Sequence, residues 1–165
     1  MLFRSQYGKI QDRNLDQGDF VFAVQSDFLR QTEIELEQQV QQAGLQERVQ
    51  FLGFRPDPQT FLLQAGVFVL PSRFEGMPNA LLEAMAAGLA VVVTDASPGP
   101  LEVVEDGVSG FVVPADDPEA LTAVLERLAA DPALRERLGL SARETLRQLD
   151  WPVVGPIWDA LVNQP

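Results

Sequence analysis

An open parallel α/β sheet with helices on both faces is predicted for this 165-residue chain by three features. Short apolar runs alternate with amphipathic stretches. Each intervening segment is long enough to carry the chain back for a parallel return. Residues 90–94 read Ala-Val-Val-Val-Thr, too uniformly apolar for a strand with one wet face, which makes that strand central in a parallel sheet.

The elements follow in order. Residues 20–24 (Phe-Val-Phe-Ala-Val) form a first strand. A helix over 28–43 carries Leu29, Ile34, Leu36 and Val40 among Glu and Gln and stops at Gly44. Residues 49–52 form a second strand closed by Gly53, and a short helix over 59–65 begins after Pro56-Asp57-Pro58. Residues 67–70 form a third strand, stopped by Pro71. A helix over 78–87, ended by Gly88, precedes the fourth strand at 90–94. Residues 99–105 form a helical turn and 111–113 a fifth strand. Asp117-Pro118 and Asp131-Pro132 each place a capping carboxylate before a proline at the first helical position. They open helices over 118–130 and 133–149, the second interrupted at Gly139. A proline-broken helical segment closes the chain at 151–162. The expected organisation is an unpatterned segment over 1–18, the remnant of a truncated reading frame, then one domain over 19–150 and a helical tail over 151–165.

Composition narrows the function. The chain carries 12 basic and 24 acidic residues, a formal charge of −12, the wrong sign for gripping a nucleic-acid backbone. It has no Cys and no His, which excludes thiolate chemistry and the commonest proton shuttle and metal ligand, and no metal site is expected. No run approaches the roughly 18 apolar residues of a membrane span, and no secretory signal opens the chain, so a cytoplasmic location is expected.

In such sheets ligands sit beyond the carboxyl ends of the strands, which directs attention to residues 71–79 and 95–100. The helix over 78–87 reads Pro-Asn-Ala-Leu-Leu-Glu-Ala-Met-Ala-Ala, and Glu83 is its only ionisable residue. A carboxylate on a helix with no polar stripe needs donors. These come either from a ligand or from a backbone amide or Arg inside the fold. Glu75 lies in the preceding loop, Arg73-Phe74-Glu75-Gly76-Met77. There Gly76 permits close approach, and the amides of Met77, Asn79 and Ala80 point out of the helix N-terminus. Such amides suit an anion, and the flanking carboxylate suits sugar hydroxyls.

Residues 70–88, Leu-Pro-Ser-Arg-Phe-Glu-Gly-Met-Pro-Asn-Ala-Leu-Leu-Glu-Ala-Met-Ala-Ala-Gly, closely resemble the signature of family 4 glycosyltransferases, with its two Glu separated by seven residues. Arg48-Val49-Gln50-Phe51-Leu52-Gly53-Phe54 resembles the family's strand and loop beside the nucleotide base. Residues 90–95, 99–104 and 106–111 resemble the elements that follow. The resemblance runs over about 44–149. It implies the C-terminal, Rossmann-like half of a two-domain GT-B fold, taking a nucleotide-diphosphate sugar as donor and retaining anomeric configuration without a metal or other cofactor. By the same resemblance Glu83 accepts from the ribose hydroxyls and Glu75 holds donor-sugar hydroxyls. Backbone at Gly76, Met77 and Asn79 lines the sugar and diphosphate, while Phe54 and Arg55 border the base. The acceptor, a glycan or glycolipid of surface polysaccharide assembly, belongs to a missing N-terminal domain, so the isolated chain is expected to be inactive.

Several positions depart from the family pattern. The Arg and Lys that the family sets against the diphosphate have no match, since Lys9 and Arg13 lie in the unpatterned segment. Val24-Gln25-Ser26-Asp27 replaces a glycine-rich turn. Arg73, the only cation in the signature, is either a phosphate contact or a solvated loop residue. Trp151 and Trp158 read as core or interdomain hydrophobes; left exposed, they would favour aggregation or peripheral membrane contact. The Arg and Glu residues of the last helices read as a solvated face. Two other functional readings stand beside the transferase: a nucleotide-sugar-binding module that needs a partner for catalysis, and a nucleotide-sugar epimerase.

Overall fold

A computed structural model describes residues 5–10, 20–25, 29–54, 57 and 59–163, with side chains from residue 34 onward except 52–54. The strands are β1 (Ser5–Ile10), β2 (Phe20–Gln25), β3 (Val49–Phe54), β4 (Val67–Leu70), β5 (Ala90–Thr94) and β6 (Phe111–Val113). The helices are α1 (Leu29–Gln42), α2 (Gln59–Leu62), α3 (Asn79–Ala86), α4 (Pro98–Leu101), α5 (Pro118–Ala130), α6 (Pro132–Arg147) and α7 (Trp151–Val162). One sheet runs in the order β3-β1-β2-β4-β5-β6. β2, β4, β5 and β6 pair in parallel, as the alternation of elements predicts.

The period-two geometry of strands explains how this sheet buries both faces. From β4, Phe68 and Leu70 enter one apolar cluster while Val67 and Val69 enter the other. From β5, Val91 and Val93 divide from Ala90 and Val92 in the same way. Leu81, Ala84 and Met85 of α3 cover the first face, and Leu128 of α5 with Leu134 and Leu138 of α6 covers the second. Each large apolar side chain buried here contributes about 1.5–3 kcal/mol, which makes β4 and β5 the anchor of the fold. The predicted helix stops at Gly44 and Gly88 have φ of 69° and 78°, the left-handed conformation that glycine adopts without penalty. Asp117 and Asp131 cap α5 and α6, accepting from the amides of Ala120 at 2.8 Å and Leu134 at 2.9 Å.

Four local expectations are corrected. Within the segment read as unpatterned, residues 5–10 form β1, which pairs antiparallel with β2 and β3. Its backbone is satisfied by neighbours distant in sequence, a source of order that local periodicity does not report. β3 continues through Gly53 instead of ending there. α6 is unbroken at Gly139, because the missing side chain lets the helix lie against the Gly88 carbonyl; a Cβ would stand 1.9 Å from that oxygen. α7 likewise runs through Pro156, whose absent N–H leaves only the Pro152 carbonyl without its helical donor. Neither tryptophan joins the core: Trp151 is 70% and Trp158 58% exposed. Among the described residues no helix is long and apolar enough to cross a membrane.

Candidate functional site

The parallel pairing of β4 with β5, which sets Leu70 opposite Val93, delivers the loops after these strands side by side. The first loop, residues 71–78, carries Glu75 into α3. The second, residues 95–97, leads into α4. Hydroxyl groups stitch them together. Thr94 Oγ1 donates to the carbonyl of Ser72. Ser72 Oγ donates to Glu75 Oε1 at 2.6 Å, and the Glu75 amide donates to Ser97 Oγ at 2.9 Å. Glu75 is therefore fixed at its backbone and at one carboxylate oxygen, and Oε2 has no protein partner among the described residues.

The start of α3 leaves donors free. The amides of Leu81 and Leu82 donate to the Pro78 carbonyl at 3.1 and 3.3 Å, whereas those of Met77, Asn79 and Ala80 have no partner among the described residues. Pro78 supplies no side-chain cap. These amides and the positive end of the helix dipole can receive an anion.

Glu83 lies one turn into α3 and is half-buried, which corrects the expectation of a carboxylate sunk in an apolar helix. The buried face of α3 is made by Leu81, Ala84 and Met85, and Ala86 is exposed, so Glu83 sits at the boundary between them. Its carboxylate has no hydrogen-bond or ion-pair partner among the described residues. Desolvation by burial raises its pKa above the ordinary carboxylate value. Beside it opens a hollow of about 240 Å³, lined by Gln59, Leu62, Leu63, Glu83, Ala86 and Ala87. An unpaired carboxylate facing an empty space with apolar walls is equipped to accept hydrogen bonds from a hydroxylated ligand that also has a flat apolar part.

The remaining predicted residues divide. Gly76, Met77 and Asn79 are exposed beside Glu75. A Cβ at Gly76 would meet no atom within 4 Å, so the close approach expected there is not made by the protein, and space for a ligand remains. The tight contact belongs instead to Gly99, whose Cβ would stand 1.6 Å from the Gly76 carbonyl oxygen. Arg73 Nε pairs with Asp116 at 2.7 Å, both side chains largely exposed, which places it in a surface ion pair in the loop. Phe54 ends β3, while its side chain, Arg55, Arg13 and residues 26–28 lie outside the described residues. Lys9 lies on β1 opposite Val21. Among the described residues no group of three or more His, Cys, Asp or Glu is placed to hold a metal ion.

Sequence reasoning missed Ser72, Thr94 and Ser97, the last two reaching this loop from the neighbouring strand and the turn after it, and Gln59, Leu62 and Leu63, which wall the hollow. The signal for Ser72 stood within the signature itself; a hydroxyl three residues before a carboxylate is at the reach of a turn.

A family model described as "Glycosyl transferases group 1" matches residues 30–145. The chain belongs to this family. The lipopolysaccharide core biosynthesis mannosyltransferase LpcC of Rhizobium leguminosarum bv. viciae is 36% identical to this group 1 chain over 126 residues, covering 73% of the chain and 36% of the relative. The lipopolysaccharide core biosynthesis glycosyltransferase LpsE of Rhizobium meliloti is 39% identical over 103 residues, 62% of the chain and 30% of the relative. The chain thus spans about a third of the length of these relatives. Anabaena Alr3699/HepE, solved in complex with UDP, superposes with a TM-score of 0.74 at 28% identity, covering 83% of the chain and 38% of HepE. The C-terminal domain of a group 1 glycosyltransferase, LpcC of Francisella tularensis, superposes with a TM-score of 0.66 at 28% identity, over 74% of the chain and 64% of that domain. The group 1 chain thus has the α/β architecture of GT-B glycosyltransferases.

Proposed function

We propose that this chain is the donor-binding half of a retaining, family 4 hexosyltransferase acting on a nucleotide-diphosphate sugar. The observation that carries the reading is Glu83, an unpartnered, half-buried carboxylate facing the 240 Å³ hollow. Glu83 accepts hydrogen bonds from the ribose, and the apolar wall of Leu62, Leu63, Ala86 and Ala87 receives the flat base, bordered further by Phe54 and Arg55. The free amides of Met77 and Asn79 face the diphosphate, and Glu75 takes donor-sugar hydroxyls with the oxygen that Ser72 leaves open. HepE was solved with UDP and with UDP-glucose, which supports a nucleotide-sugar ligand for a chain of the same architecture.

In the reaction, the bond from the anomeric carbon to the diphosphate oxygen breaks and its electron pair leaves with the diphosphate. The acceptor hydroxyl oxygen forms the new bond to the anomeric carbon, and its proton passes to the departing diphosphate oxygen. The chain's part is to hold the donor and to stabilise charge on the departing diphosphate through backbone amides and the α3 dipole; the reading assigns no metal or other cofactor. The acceptor, a surface polysaccharide or glycolipid intermediate at the cytoplasmic membrane face, docks on an N-terminal domain not in this chain. The isolated chain binds donor and does not turn over. The lipopolysaccharide and amylovoran transferases among the relatives support that substrate class. A second reading is a binding module that depends on a partner for catalysis, favoured because Arg73, the signature's one cation, is engaged by Asp116 and no other cation lies in the signature.

Calorimetric titration with UDP and GDP tests the reading. Saturable binding of one of them, weakened at least tenfold by Glu83→Ala, is expected, and equal binding by the variant removes the ribose assignment.

A further inference from the structure

Glu75 is held from behind by a turn that the proposed chemistry does not use. Ser97 is 7% exposed, sits in the turn between β5 and α4, and accepts the Glu75 amide at 2.9 Å. Two residues on, Gly99 is buried against the Gly76–Met77 peptide; a Cβ there would stand 1.6 Å from the Gly76 carbonyl oxygen and 3.3 Å from the Met77 nitrogen. Two contacts from the segment after β5 thus grip the Phe74–Glu75 and Gly76–Met77 peptides, leaving the Glu75–Gly76 peptide between them. Ser72, itself tied to β5 through Thr94 Oγ1, holds Oε1 from the other side at 2.6 Å. Backbone position, peptide orientation and carboxylate rotamer are fixed by three different groups. Partly buried hydrogen bonds of this kind specify one geometry more strongly than they add stability.

We propose that Ser97 and Gly99 are positioning residues that set the Glu75 carboxylate for the donor sugar, so that the turn after β5 determines how much affinity the sugar adds to the nucleotide. The inference rests on the assignment of Glu75 to the sugar. Its mechanism is preorganisation. A carboxylate free to rotate must be immobilised when the sugar arrives, and that cost falls on the sugar and not on the nucleotide, which lies against Glu83 and the α3 amides.

Two measurements on the full chain test it, using UDP with UDP-glucose and GDP with GDP-mannose as probes. Ser97→Ala is expected to speed hydrogen exchange at the Glu75 amide at least tenfold. It should also cut the ratio of nucleotide-sugar to nucleotide affinity at least fivefold, with nucleotide affinity held within twofold. Ser97→Thr, which keeps the hydroxyl, should restore both, and Gly99→Ala, which also shifts the Met77 amide, should lower the ratio on top of a loss of nucleotide affinity. A merely structural Ser97 would weaken both members of a pair equally. That outcome, or unchanged exchange at Glu75 in Ser97→Ala, overturns the proposal. Wild-type chain that binds neither pair overturns the donor-site reading instead, while the exchange measurement still reports whether Ser97 holds the Glu75 peptide.

Discussion

Gly99 packs against the carbonyl of Gly76 so closely that a side chain at Gly99 could not be housed, whereas one at Gly76 would meet open space. Two glycines in contact therefore have opposite reasons to be glycine. Gly99→Ala forces the loop before α3 away from α4 and is expected to cost about 1–3 kcal/mol. Gly76→Ala meets no protein atom and is expected to change stability by less than about 0.5 kcal/mol. It should nevertheless weaken nucleotide-sugar binding, since the proposed donor site places the sugar and diphosphate beside the added methyl. Urea denaturation of both variants, followed by titration of Gly76→Ala, checks the pair.

Arg73 and Asp116 form an ion pair whose side chains are 83% and 65% exposed, where solvent screening leaves little net energy. Arg73→Ala is expected to lower stability by no more than about 1 kcal/mol. Nucleotide diphosphate affinity should stay within twofold of wild type, read by thermal melts and calorimetry. A tenfold loss of affinity would assign Arg73 to the phosphate.

The α3 signature, the parallel core strands and the Asp-Pro helix starts were legible in the sequence because each is written locally. Val91 to Val93 announce a strand buried on both faces, and Asp117-Pro118 announces a helix start within a few residues. What the sequence hid is long-range. The order of β1 comes from pairing with β2 and β3, and the continuity of α6 through Gly139 comes from contact with Gly88. The hold of Ser97 on Glu75 spans 22 positions. Glu83 was legible as an anomaly, but the degree of its burial was not, since that depends on how α2 and α3 meet.

α7 presents Trp158, Ile157, Leu161 and Val162 to solvent, each more than half exposed. An apolar face of this kind promotes association. Trp158→Gln is expected to reduce concentration-dependent light scattering and binding of a hydrophobic dye, with the melting temperature almost unchanged. Scattering that does not depend on the substitution would place the cause elsewhere.

The raised pKa of Glu83 has a definite sign in stability. Burial makes the folded chain hold this proton more tightly than the unfolded chain does. The ionisation penalty is absent below the unfolded-state value, grows as pH rises through it toward the folded value, and is fully present above. Glu83→Gln removes the penalty, so the variant should match wild type at the acid end and melt at a higher temperature above that window. Paired melts across pH check this. A wild type more stable than the variant at neutral pH would mean that the carboxylate has a protein partner after all.

Ligand binding reverses the sign, because ribose hydroxyls donate to the ionised carboxylate and lower its pKa in the complex. The decisive measurement is calorimetric titration of wild type and Glu83→Gln with UDP and GDP across the same pH range. Wild-type affinity for one nucleotide should rise with pH and level off once Glu83 is ionised, and the variant should bind at least tenfold more weakly without that rise. A variant that binds as tightly as wild type, with the same pH profile, would contradict the assignment of Glu83 to the nucleotide.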